Sequence, residues 1–167
     1  MNTKDEIVDS IEGRFEGELP PPVLFTQTGT KELMEHCGAY WPDAHRDVGK
    51  MVKLALQPAE LFGFATARVP FDVSAEAEAI GCDVSAGTDI SQPFVLGSPW
   101  RDGMTVIFDS ELPSVDEFLS HGRIRTVIDA ADTIHREKED LFVTSMCISV
   151  SGIASHMLGM ENMIMSS

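Results

Sequence analysis

Hydrophobic positions along the chain form two kinds of pattern, short continuous runs and helix-spaced stripes. The continuous runs occupy residues 22–28, 64–71 and 141–149. Runs of this length are typical of strands that are buried on both faces of a parallel sheet. A helix-like segment follows each run, so the predicted order is strand then helix, three times. This order is the signature of βαβ units, in which parallel strands lie side by side and helices cover them.

Helix signals appear early in the chain. Residues 3–13 predict a short amphipathic helix that ends at Gly13, and residues 31–37 predict a helical turn closed by Gly38. Asp43 is expected to cap the next helix, because Asp is a preferred capping residue. That helix should bury one broad apolar face, made of Val48, Met51, Val52, Leu54, Ala55 and Leu56.

The second half of the chain carries further helix and turn signals. Residues 73–81 are rich in Ala and Glu and predict a helix, whereas residues 82–110 hold several Gly and Pro and predict an excursion with small hairpin strands. Ser114 opens the sequence SVDE, which predicts a helix with a capping box. A longer helix is expected from Ile124 to Lys138, and a last one over residues 151–164. Together these elements suit a single domain.

Composition narrows the classes of partner. The chain has 12 Lys and Arg against 27 Asp and Glu, a formal net charge of −15, and so should repel nucleic acids and anionic membranes. No apolar run reaches the roughly 18 residues of a membrane helix. The odd number of widely spaced cysteines and the polar N-terminus favour a reduced, cytoplasmic compartment.

Asp72 is the first candidate site residue, because it lies where the second predicted strand meets a helix. Ligand sites in βα folds lie beyond the carboxyl ends of the strands, but an Asp at this position is equally a helix cap. By the two-residue period of a strand, Arg68 lies on the same side as Asp72. Arg68 is then either the ion-pair partner of Asp72 or an anion-binding group. Glu76 and Glu78 are expected to be solvated helix residues.

Other polar groups give weaker signals. The segment SGIAS, which includes Ser151, puts glycine and hydroxyls between a strand and a helix and could bind an anion, although no P-loop spacing is present. His36, Cys37 and His45 have no recognised zinc spacing, so structural roles are expected for them. The prediction for metal ligands in this chain is therefore none.

Four segments taken together resemble a known family. They are QTGTKELMEHCGAYWPDAHRDVGKMVKLAL, GFATARVPFDVSAEAEAIGCDV, HGRIRTVIDAADTI and ASHMLGMENMI. This set resembles the N-terminal half of the uroporphyrinogen decarboxylase superfamily, with the methylcobamide:coenzyme M methyltransferases of methanogenic archaea as the most similar branch. The similarity runs from about Pro22 to Ile164.

The resemblance implies a (β/α)8 TIM barrel that transfers a methyl group from a methylcobamide, carried on a corrinoid protein, to the thiol of coenzyme M. It also implies a zinc ion that activates this thiol, held by a His-x-Cys pair and a further Cys in the second half of the barrel. A full barrel takes about 250 residues, so residues 1–167 are expected to be a truncated or split form, about three barrel strands with outer helices. Such a form should bind no cofactor and be inactive alone.

Site residues follow from the same resemblance. Asp72 matches the family's Asp near the end of the second strand, which implies a catalytic role, and Gln27, Arg68 and Ser151 are the expected substrate- or corrinoid-binding residues. Two departures stand out. The arginines by which true decarboxylases hold substrate carboxylates are replaced here by QTGTK, and the usual Gly-Pro pair after the third strand by SVSGIAS.

The sequence is therefore compatible with three functions. The first is a methyltransferase that works with a corrinoid protein and a complementary C-terminal half, or self-associates through its open sheet edges. The second is a decarboxylase-type enzyme of tetrapyrrole biosynthesis, which the missing arginines disfavour. The third is a non-catalytic fragment that binds a partner.

Overall fold

A computed structural model describes residues 3–26, 29–98, 100 and 112–165 of the 167-residue chain. No helix in these ranges is long and apolar enough to cross a membrane. In chain order the elements are α1 (Thr3–Ile11), α2 (Lys31–Cys37), a 3-10 turn (Asp43–His45), α3 (Val48–Ala55), α4 (Gln57–Phe62), β1 (Thr66–Val69), α5 (Ala75–Ala79), β2 (Asp83–Val84), β3 (Val95–Gly97), α6 (Val115–Ser120), α7 (Ile124–Glu137), β4 (Phe142–Ser145), α8 (Val150–Leu158) and α9 (Met160–Met165).

Strands β1 and β4 form a parallel pair in register, with Thr66 opposite Phe142 and Val69 opposite Ser145. All four residues of β1 are buried, as expected of a strand inside a parallel sheet. The predicted α/β arrangement, with the second and third apolar runs as adjacent parallel strands, is confirmed.

The two faces of this strand pair have different surroundings. Ala67 and Val69 belong to the main hydrophobic core, which they share with α3 and α7 through residues such as Leu54 and Ile134. Because side chains alternate along a strand, Thr66 and Arg68 point to the opposite face. The helices therefore cover one face of the sheet, and the polar residues of β1 mark the other.

The predicted first strand is not a regular strand over its described residues, 22–26. This segment still lies beside β1, since the N–H of Ala65 donates to the carbonyl of Pro22 at 2.8 Å. The peptide groups of Leu24 pair with the side chain of Thr66, whose Oγ1 accepts from the Leu24 N–H at 2.8 Å and donates to the Leu24 carbonyl at 3.1 Å. A side chain thus takes the place of a backbone ladder, so the position was predicted correctly and the regular strand was not.

A short hairpin follows α5. β2 and β3 pair antiparallel, with Asp83 opposite Gly97 and Val84 opposite Val95. Residues 99 and 101–111, which belong to the predicted excursion over residues 82–110, lie outside the described residues.

Of the two predicted helix caps, the one at Ser114 is present and the one at Asp43 is not. The Ser114 hydroxyl accepts from the N–H of Glu117, whose carboxylate accepts from the N–H of Ser114 at 2.8 Å; the predicted capping box is confirmed. Asp43 does not cap α3, because it begins the 3-10 turn and its carboxylate pairs with Lys50 Nζ at 2.5 Å. Asp47 is the cap, with Oδ1 accepting from the Lys50 N–H at 2.8 Å.

Replacing Asp47 with Ala should lower the free energy of unfolding by about 1 kcal/mol, because the N–H of Lys50 loses its acceptor. Asp43→Ala is the matched control, since it removes the same charge four residues away and leaves the cap intact. Urea denaturation followed by circular dichroism measures both. Equal losses for the two variants would contradict the assignment of the cap.

Candidate functional site

The Asp72 carboxylate lies just beyond β1 and is enclosed by protein. β1 ends at Val69 and residues 71–73 bend, so the alternation of the strand does not extend to Asp72. The side chain has 0% of its surface exposed. Oδ1 accepts from the N–H of Ser74 at 2.9 Å and from its hydroxyl at 2.6 Å. A helix cap accepts a backbone N–H in this way, although no side chain caps α5 itself.

Arg123 supplies the main partner of Asp72. Its Nη1 lies 2.5 Å from Asp72 Oδ2 and its Nη2 lies 3.0 Å from Oδ1, a bidentate pair. Nη2 also donates to the Ser74 hydroxyl at 2.9 Å, and Nε donates to Glu78 at 2.6 Å. The arginine side chain is 1% exposed. A buried guanidinium of this kind is stable only because its donors are paired.

The turn before α7 brings Arg123 into place. Gly122 has φ +54°, in the left-handed region that favours glycine, and a Cβ there would lie 3.0 Å from Glu78 Cγ. The close approach of the turn to α5 therefore depends on a residue without a side chain. Arg123 follows directly at the start of α7.

Glu78 extends the ion pairs to the surface. Its second oxygen, Oε1, lies 2.8 Å from Arg46 Nη2, so the order of charges is Arg46, Glu78, Arg123, Asp72. The prediction that Glu78 is a solvated helix residue was wrong, because its side chain is only 17% exposed. Glu76 is also engaged: its Oε1 accepts from the N–H of Ile148 at 3.0 Å. Both carboxylates of α5 hold neighbouring segments.

His45 closes the other side of Asp72. Its Nδ1 lies 3.1 Å from Asp72 Oδ2, but the contact is not aligned as a hydrogen bond. The ring stacks at 5.0 Å from Trp41 and lies edge-on to Phe71 at 5.8 Å, measured between ring centroids. His45 is thus part of the core, as the structural interpretation of this residue predicted.

These surroundings set the ionisation of the pair. Burial raises the pKa of the Asp72 carboxyl, but His45, Arg123 and Ser74 together outweigh burial and hold that pKa well below its usual range. Burial lowers the pKa of Arg123, and the charges of Asp72 and Glu78 outweigh it and raise that pKa. The pair is therefore ionised at neutral pH.

Arg68 lies apart from this cluster. It is 3% exposed and lines a cleft of about 490 Å³ together with Phe25, Thr26 and Met146. Its Nη2 lies 3.4 Å from Met146 Sδ, and in the described part of the chain it forms no ion pair with Asp72 or any other carboxylate. Burial lowers the pKa of the Arg68 guanidinium, and the nearby charge of Asp72 acts in the opposite direction. Asp72 pairs with Arg123 and not with Arg68.

An apolar cavity of about 470 Å³ adjoins this cleft. Met146 lines both spaces, and Cys147, which is exposed, lines the cavity. Phe118 and Leu119 of α6 and Ile128 of α7 also line it. A cationic cleft and an apolar cavity thus meet at Met146, directly after the carboxyl end of β4.

The remaining predicted binding residues are not gathered with Arg68. Gln27 lies outside the described residues. Ser151 is exposed in the first turn of α8, where its hydroxyl lies 3.0 Å from that of Ser149. Within the described ranges, no cluster of three or more His, Cys, Asp or Glu side chains could hold a metal ion. Roles for Asp72, Gln27 and Ser151 in binding or catalysis stay predictions.

Sequence reasoning missed Arg123, although one signal was present. Arg123 directly precedes α7, and a cation at a helix N-terminus is opposed by the helix dipole. An arginine at that position therefore indicates a tertiary partner, but not which one, because Asp72 lies 51 residues earlier.

The chain matches the family described as uroporphyrinogen decarboxylase (URO-D) over residues 2–166. It is 38% identical over 141 residues to a protein of Methanosarcina mazei named methylcobamide:CoM methyltransferase MtbA, covering 83% of this chain and 40% of that protein. It is 36% identical over 138 residues to methylcobamide:CoM methyltransferase MtaA of Methanosarcina barkeri, covering 81% of this chain and 38% of that protein. The chain spans about two fifths of the length of these curated relatives.

A solved structure, a methyltransferase from Methanosarcina mazei, superposes with a TM-score of 0.89 at 28% identity. The superposition covers 99% of this chain and 48% of that one. It confirms the predicted fold class, part of a (β/α)8 barrel.

Replacing Asp72 with Asn should lower the free energy of unfolding by about 3–5 kcal/mol at pH 7, because it leaves the charge of Arg123 buried without its main partner. The pKa of Asp72 is depressed on folding, so the contribution of its carboxylate is present above the unfolded value of about 3.9 and is lost as pH falls through the folded value. The difference between wild type and variant should therefore be constant near neutrality and shrink below about pH 4.

Asp129→Asn is the matched control, because Asp129 pairs with Arg125 at 2.9 Å on the exposed face of α7. It should cost only about 0.3–0.5 kcal/mol. Urea denaturation at a series of pH values measures both variants. A difference for Asp72→Asn as small as that of the control would show that the buried pair does not hold the structure together.

Proposed function

The chain belongs to the uroporphyrinogen decarboxylase (URO-D) family, and from this membership we propose that it is part of a methyltransferase acting between a methylcobamide and coenzyme M. The observation that carries the proposal is the similarity to relatives named methylcobamide:CoM methyltransferase, which extends over more than four fifths of this chain. The TM-score of 0.89 to a methyltransferase supports it independently of those names.

The proposed reaction needs two substrates with different chemistry. The methyl donor is a methylated corrinoid on a cytoplasmic partner protein, a large ring that carries polar amide side chains. The acceptor is a small thiol that carries a sulfonate. The cleft lined by Arg68, which meets an apolar cavity at Met146, supports a site for the small anionic acceptor.

Zinc is the metal that the family implies, and its chemistry would be to lower the pKa of the bound thiol so that the nucleophilic thiolate forms. The described residues do not fit this ion. Cys37 and Cys82 are buried, Cys147 is exposed, and no described group of three potential ligands lies together. We therefore assign the metal ligands to residues outside those described. We assign no zinc-dependent step of the reaction to this chain.

The proposed role of Asp72 is to position the site. Its carboxylate has no exposed surface, so it acts through Arg123 and the end of β1 rather than on a substrate. Ser151 and Gln27 remain proposed contacts to the corrinoid or the thiol. Ser151 follows the carboxyl end of β4, where ligands of barrel enzymes bind.

A complementary barrel half is the proposed structural partner. Within the described residues, β1 and β4 pair only with each other, so β4 offers an edge to a further strand. The superposed methyltransferase extends well beyond the 48% that this chain covers. Self-association through the same edge is the alternative way to cover it.

Reconstitution tests the proposed function. Residues 1–167 would be produced together with the part of the Methanosarcina mazei MtbA relative that lies outside the match. Loss of methylcobalamin absorbance in the presence of coenzyme M and zinc measures methyl transfer. We expect transfer from the combination and none from either polypeptide alone.

The matched control replaces this chain with the corresponding region of the relative itself, joined to the same partner segment. Transfer by residues 1–167 alone at the rate of the combination would contradict the assignment of the metal ligands elsewhere. A stable complex that transfers no methyl group, while the control is active, would show that this chain binds a partner without taking part in catalysis.

A further inference from the structure

The guanidinium of Arg68 is a buried positive charge without an acidic partner in the described part of the chain. Only 3% of the surface of this residue is exposed. Its described contact is with Met146 Sδ at 3.4 Å, and a thioether is only a weak acceptor. An arginine stays protonated in proteins, so burial leaves a charge and not a neutral group. Such a charge is costly unless a counterion approaches it.

The nearest acid cannot serve as that counterion. Asp72 is already paired with Arg123 through both oxygens, at 2.5 and 3.0 Å. The four charges of the cluster, Arg46, Glu78, Arg123 and Asp72, sum to zero. The cluster therefore has no charge left to neutralise Arg68.

The position of Arg68 allows a small molecule to reach it. It lies on the face of β1 opposite the core residues Ala67 and Val69. The cleft of about 490 Å³ that it lines is bounded by Phe25, Thr26 and Met146, none of which carries a charge. A small anion with an uncharged body fits these walls.

We propose that Arg68 binds the sulfonate of the thiol substrate and so fixes the orientation of coenzyme M. The planar guanidinium presents parallel N–H donors that match an oxyanion in a bidentate way. The surrounding uncharged walls strengthen this pairing, because they screen it less than water does. The identity of the anion, the sulfonate of coenzyme M, rests on the proposed function. The capacity of Arg68 to bind an anion does not.

Binding to the 167-residue chain tests the inference without corrinoid or zinc. Ligand-observed NMR would compare ethanesulfonate, which keeps the anion, with 2-sulfanylethanol, which keeps only the thiol. We expect ethanesulfonate to bind at least about 10-fold more tightly, the difference that a hydrogen-bonded charge pair gives. Equal binding of the two compounds to the wild-type chain would overturn the proposal, whatever any variant does.

Variants assign the effect to Arg68. Arg68→Met should weaken ethanesulfonate about 10-fold or more, whereas Arg68→Lys should keep part of the preference, because it keeps the charge but not the fork. Arg125→Met is the matched control, since Arg125 is 67% exposed and pairs within its own helix. The affinity of the Arg125→Met chain for ethanesulfonate should equal that of the wild-type chain. Retained ethanesulfonate binding in a folded Arg68→Met chain would overturn the proposal.

The reconstituted enzyme separates this inference from the proposed function. If methyl transfer fails but ethanesulfonate binding depends on Arg68, the anion site stands and the proposed reaction falls. If transfer succeeds, the KM for coenzyme M should rise about 10-fold in Arg68→Met. An unchanged KM would overturn the sulfonate role and leave the methyltransferase proposal in place.

Discussion

The buried ion pair between Arg123 and Asp72 is the interaction on which the rest of this structure depends. It joins the end of β1 to the start of α7, and through Ser74 and Glu78 it also holds α5. A pair of this kind is costly to desolvate and is repaid only when nearly every donor and acceptor is matched. Here both oxygens of Asp72 and all three guanidinium nitrogens of Arg123 have partners.

The same pair leaves the positive charge of Arg68 available to bind a ligand. Because Arg123 satisfies Asp72, the neighbouring Arg68 has no acid of its own in the described part of the chain. The hydrophobic core and the candidate site therefore lie on opposite faces of β1. Ala67 and Val69 pack against the helices, and Arg68 lines the open cleft. A four-residue strand supplies both the core and the cationic wall.

Local signals in the sequence predicted most helices and the two paired strands. The capping box at Ser114 and the apolar face of α3 are determined within a few residues, and both were predicted correctly. The prediction for Asp43 was wrong because two aspartates four residues apart are both acceptable caps, and only the 3-10 turn distinguishes them. The regular first strand failed because the Thr66 side chain, about 40 residues away, takes the backbone groups of Leu24.

The site was less predictable, because its contacts are tertiary. Asp72 was singled out because it lies where the second predicted strand meets a helix, but no sequence spacing points to its partner Arg123. Glu78 was expected in solvent for a similar reason, since helix position alone does not tell which face a neighbouring turn covers. The two-residue period placed Arg68 but did not extend past Val69 to Asp72, because the chain bends there.

A crystal structure of the chain with coenzyme M measures the central claim directly, since it shows where the sulfonate goes. The account predicts sulfonate oxygens at about 2.7–2.9 Å from the guanidinium of Arg68, with Arg123 still paired to Asp72. A sulfonate bound to Arg123, with Asp72 displaced, or a ligand that leaves Arg68 without an anion, would contradict it.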